Sequence, residues 1–149
     1  MLKKIYENFW YKEQDEKLSG ASAQSIQSFE EKTGIKLPDE FKHLYTLSDG
    51  GFISLELNCD SEIAQTAVPA FSPLSELQFS NYDSNTGFDY KEAGIPEGLI
   101  ILGSHGYDFY ALDYRGRKSE PKVVYGDGEG RVDVIANSFL EFILCLEQE

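Results

Sequence analysis

His105, Asp108 and Asp113 are close enough in sequence to suggest a metal site or an acid–base group. Side chains of a strand alternate between its two faces, so Asp108 and Asp113 point opposite ways and cannot both meet His105 without a bulge. A His-Gly turn and aspartates at strand ends have ordinary structural uses. The run Gly126-Asp127-Gly128-Glu129-Gly130 is glycine-rich, yet it lacks phosphate-loop spacing and has no helix directly behind it to present backbone N–H groups. It reads as a tight hairpin turn, and it does not supply the ligand positions of a calcium loop. No serine lies in GxSxG or SxxK, and His43 reads as a residue at the boundary of an apolar helix face. No metal or cofactor is expected and no catalytic residue is singled out; nucleophilic catalysis is unsupported, with a triad gathered from distant residues left open.

What remains is binding chemistry. Tyr82, Asp83, Phe88, Asp89, Tyr90 and Glu92 interleave rings with carboxylates, the composition of a surface that sets aromatic anchors among complementary charge. The partner-binding candidates are Tyr82, Asp83, Asp89, Tyr90 and Glu92, with Glu76 and Asp108 as outlying members. The competing reading is that Tyr82, Phe88 and Tyr90 pin this stretch to its own core.

Charge supports the binding reading. Thirteen Lys and Arg stand against 26 Asp and Glu, a net charge of −13. Residues 43–113 hold Lys91 as their one cation against eleven carboxylates, so this stretch supplies ten of the thirteen excess negative charges. Such a surface repels phosphate backbones and anionic membranes, which argues against nucleic-acid and membrane ligands and for a basic protein partner. Acidity for solubility alone is the alternative. Cys59 and Cys145 are far apart, with no CxxC pair, so neither a disulfide framework nor a zinc site is expected. The first residues mix charge with apolar groups every few positions, unlike a signal peptide, and no run is long enough to span a membrane. A reduced, cytoplasmic protein is the expectation; nothing in the sequence sets an oligomeric state.

At 149 residues and 41% apolar composition the chain is expected to form one domain over 1–149. Leu2, Ile5, Tyr6, Phe9 and Trp10 recur at helical spacing. A second helix begins near Ser22 and ends at Gly34, where a left-handed cap is wanted. Pro38 at the first position and Asp39 and Glu40 in the first turn open a third, and Asp49-Gly50-Gly51 closes it. Alternation over Phe52–Leu57 predicts a strand, and Ser72-Pro73 a short helix capped by Ser72. Residues 79–95 read as a long loop. Strands follow at Leu99–Leu102, Asp108–Asp113, Val123–Tyr125 and Val132–Ile135, then a helix capped by Ser138 with Glu141 three positions on. Helices before and after a meander of strands predict an α+β domain.

The string "IQSFEEKTGIKLPDEFKHLYTLSDGG" resembles the N-terminal signature of the SUKH superfamily, the Smi and Knr-like domains. Ile26, Phe29, Glu30, Gly34, Leu37, Pro38, Phe41, Lys42, Tyr45, Gly50 and Gly51 fill its places. The Leu112-Asp113 strand end and Ala136, Ser138, Phe139 and Phe142 of "VIANSFLEFI" are similar to the C-terminal half. The likeness covers about residues 22–146; the first helix with Trp10 and the loop 79–94 depart from it. It implies a mostly antiparallel, mixed sheet flanked by N-terminal helices and one C-terminal helix, and no catalysis. Bacterial members are thought to neutralise a cognate protein toxin, and fungal members to act in cell-wall regulation through protein contacts. The expectation is therefore a bacterial immunity protein whose acidic surface covers the basic groove of a toxin, plausibly a nuclease. A regulatory or scaffolding adaptor for a cellular protein is the alternative.

Overall fold

The computed structural model describes residues 2–14, 16–57, 68–82 and 89–147. The first helix, α1 (Leu2–Asn8), is short, and Phe9 and Trp10 follow it as buried residues outside the helix. Trp10 forms an isolated antiparallel bridge with Ile53, and its indole N–H donates to the Leu44 carbonyl at 2.8 Å. In α2 (Ala23–Thr33) the Ser22 hydroxyl accepts from the Ser25 amide, and Gly34 closes the helix at φ 75°. Helix α3 (Asp39–Leu47) places Pro38 at its N-cap, one position earlier than expected, with Asp39 and Glu40 at the positive end of the helix dipole. It stops at Ser48, an extended residue, and the left-handed backbone falls on Gly50 and Gly51.

The principal sheet has the order β2 (Gln78–Phe79), β3 (Leu99–His105), β4 (Asp108–Asp113), β5 (Lys122–Gly126), β6 (Val132–Ala136), with every described pairing antiparallel. A second, two-stranded sheet pairs β1 (Glu56–Leu57) with β7 (Leu146–Glu147). Strand β7 is not anticipated by the sequence, because two residues carry no periodicity. Helix α4 (Phe139–Leu144) begins as expected, the Ser138 hydroxyl accepting from the Glu141 amide.

Alternation along β4 divides the core. Tyr110 and Leu112 face the helices, where Phe41, Tyr45, Phe139 and Phe142 are buried; Phe109 and Ala111 face the other way, with Leu99 and Val124. The α+β architecture with N-terminal helices and one C-terminal helix is thus the one the sequence predicts.

Three local expectations are corrected. Pro73, not Ser72, precedes the short helix, which is a 3₁₀ turn over Leu74–Glu76; its leading amide, from Leu74, donates to Asp49 Oδ1 at 2.8 Å in place of a serine cap. The strand expected over Phe52–Leu57 reduces to β1, with isolated bridges at Gly51 and Ile53, because the chain here pairs with Phe71 and Trp10 in turn. Cys145 is disulfide-bonded, against the expectation of a reduced chain. The sequence's other cysteine, Cys59, lies outside the described residues. Strand pairing brings Leu57 beside Leu146, the residue after Cys145.

Candidate partner-binding face

The predicted binding residues are distributed over three places. Tyr82, Asp89, Tyr90 and Glu92 belong to the segment between β2 and β3, and Asp83 lies outside the described residues, as does Phe88. Tyr90 is only 2% exposed and donates its hydroxyl to Gln78, so it anchors the segment to the sheet. Tyr82 is 43% exposed, with its hydroxyl donating to the Ile95 carbonyl at 2.9 Å. Asp89 accepts from the Glu92 amide at 3.0 Å and stabilises the turn that presents Glu92 to solvent. Glu76 is exposed at the end of the 3₁₀ turn, beside a polar groove of about 940 Å³ shared with Ser25 and Lys32 of α2. Asp108 starts β4 and accepts from Tyr125, which places it on the helix-facing side of the sheet.

One tertiary contact adds acidic residues that local sequence reasoning missed. Gly94, at φ 76°, lies against the β5–β6 turn, where an added Cβ would be in van der Waals contact with the Gly130 nitrogen at 3.4 Å. The segment carrying Asp89, Glu92 and Glu97 is thereby laid against the turn carrying Asp127 and Glu129. Asp127 accepts from the amides of Glu129 and Arg131 and shapes that turn, while Glu129 is exposed. Only the glycine content of 126–130 signalled this region, and that signal reports a turn rather than its neighbour.

The residues that carry the family resemblance behave differently. Glu30 Oε2 accepts from the Leu37 amide at 2.7 Å and lies 3.7 Å from Lys42 Nζ, stapling α2 to the start of α3. Tyr45 donates to the Ser72 carbonyl at 2.7 Å, and burial raises its hydroxyl pKa far above the ordinary value. A Cβ on Gly50 would meet the backbone of residues 71–73 at 2.7–2.8 Å. Asp113 holds Arg115 through both carboxylate oxygens at 2.9 Å and accepts the Arg115 amide as well. Burial alone would raise the Asp113 pKa, but hydrogen bonds and charge from Arg115 prevail and hold it below the usual carboxylate range.

A family model described as SMI1 / KNR4 family (SUKH-1) matches residues 20–145. The chain belongs to this family. No curated protein matches the sequence. In this SUKH domain the signature is architectural: its polar members are spent on internal bonds, Gly34, Gly50 and Gly51 take positive φ, and Gly50 also sits where a side chain would collide. In the β2–β3 segment Asp89, Glu92 and Glu97 are exposed, and Asp89 and Glu97 accept the amides of Glu92 and Tyr82. Among the described residues, no cluster of His, Cys, Asp and Glu is arranged to hold a metal ion, and no helix is long and apolar enough to cross a membrane.

Proposed function

We propose that the protein is an immunity protein that neutralises a toxin by binding it without chemistry, through the acidic segment between β2 and β3. The reading is carried by membership of a family associated with immunity, combined with an acidic segment in which Asp89 shapes a turn that presents Glu92 to solvent. The partner is a cognate protein toxin with a basic surface. A nuclease fits best, since an enzyme that grips nucleic acid must be cationic, and an inhibitor rich in carboxylates competes for that charge. Tyr82, Asp83, Asp89 and Glu92 are the contact residues proposed, with Glu129 beside them. Tyr90 supports the segment from beneath, and Glu76 and Asp108 form outlying contacts.

The test is binding to the product of a toxin reading frame encoded next to this one, measured at low and at physiological salt. Association is expected to slow as salt rises. Reversing Asp83, Asp89 and Glu92 to lysine together is expected to weaken binding by at least about 100-fold. Unchanged affinity in a folded triple variant would show that this face is the wrong one.

A further inference from the structure

A second surface has the opposite character. Between α1, the segment that follows it and α3 runs a groove of about 850 Å³. Its walls are apolar: Leu2, Tyr6, Trp10, Leu18 and Leu47, the last 39% exposed. Lys3, Lys12 and Lys17 line it as well, all three exposed, with Glu7 as the one lining carboxylate among the described residues and Asp39 and Glu40 near enough to act on Tyr6. None of these lysines forms an ion pair among the described residues. Three lysines against one lining carboxylate give the groove a local excess of cations in a chain of net charge −13.

Every lining residue except His43 and Leu47 precedes residue 20, where the family match begins. The groove is also rigidly backed. Trp10 is held from behind by its bond to the Leu44 carbonyl, and the Tyr6 ring lies 4.2 Å from that of His43.

We propose that this groove docks an acidic, leucine-bearing peptide segment of a partner protein. Apolar side chains of the segment would fill the floor, and its carboxylates would meet the three lysines. A polyanion such as nucleic acid is disfavoured because its charge extends beyond the patch into the field of the acidic remainder. A short segment stays within about one Debye length, roughly 8–10 Å, of the lysines. The proposal stands apart from toxin binding by the β2–β3 segment and can fail without it.

Trp10 is the sole tryptophan, so its fluorescence reports on the groove directly. The experiment titrates the full chain with two synthetic peptides that lack tryptophan and tyrosine and share leucines at helical spacing. One carries glutamate and the other lysine at the remaining positions. The glutamate peptide is expected to shift Trp10 emission saturably and to bind about tenfold more weakly in Lys3→Glu/Lys12→Glu/Lys17→Glu, whose sites are exposed. Leu47→Asp is a second variant on the apolar wall, expected to weaken binding with circular dichroism unchanged. The proposal is overturned by equal binding of the lysine peptide, by no saturable response to the glutamate peptide, or by unaltered affinity in both variants. It is also overturned if sedimentation shows a dimer that either variant abolishes, because the occupant would then be a second copy of this chain.

Discussion

The α2–α3 hairpin and the segment between β2 and β3 use polar residues in opposite ways. In the hairpin, Glu30 and Ser22 are bonded to backbone amides, and Lys42 lies beside Glu30. In the β2–β3 segment Tyr90 and Asp89 are similarly engaged, but Glu92 projects from a turn into solvent. A residue pattern that identifies a family need not mark where its members act. Side chains that build a shared fold have little freedom to vary, whereas a binding surface for different partners sits on elements the fold can tolerate changing.

The largest effect expected from this contrast lies in the hairpin. Phe41 is fully buried, stacked on Tyr45 with ring centroids 4.3 Å apart and edge-on to Phe139 at 5.5 Å. Phe41→Ala removes a ring from both contacts and leaves a cavity, so denaturant unfolding should show a loss of about 3–5 kcal/mol. A loss below about 1 kcal/mol would mean that the hairpin and α4 do not share one core.

A smaller effect is expected where the signature meets the sheet. Asp113 has a folded pKa below its unfolded value, so its bonds to Arg115 stabilise the fold fully above the ordinary carboxylate pKa of about 3.9. That stabilisation is lost as pH falls through the folded value. Arg115 is partly exposed, so Asp113→Asn is expected to lose only about 1 kcal/mol at neutral pH. Wild type and variant should converge in stability in acid, below about pH 4. A gap that persists undiminished at low pH would assign the role to packing instead of charge.

What could be read from the sequence follows the range of the forces involved. Helix ends were legible because capping is local: Ser22, Gly34 and Ser138 each act within a few residues. The strands of the meander were legible because alternation and turn glycines repeat along the chain. The short pieces were not. Leu74 takes its cap from Asp49, a residue 25 positions away, and β7 exists only because β1 lies beside it. The candidate face divides in the same way. The acidity of the β2–β3 segment is a matter of composition, but the burial of Tyr90 and the approach of Gly94 to the β5–β6 turn arise from tertiary packing. The N-terminal groove escaped sequence reading for a related reason. Leu18, Trp10 and Leu47 belong to no single period and meet only once α1 lies beside α3.

The smallest stability effect is expected at the surface, and it separates the two regions most cleanly. Glu76 and Glu92 are both exposed and sit on the 3₁₀ turn and the β2–β3 segment rather than in the core. Reversing both to lysine changes each site by two charges and moves the net charge from −13 to −9. Thermal and denaturant unfolding should shift by no more than about 0.5 kcal/mol, with relief of like-charge repulsion favouring a slight gain. A clear loss would mean that these carboxylates are structural, as Glu30 and Asp113 are, and the β2–β3 segment would then have to be read as part of the scaffold. An unchanged fold leaves their charge for an external partner, which the salt dependence of toxin association can then measure.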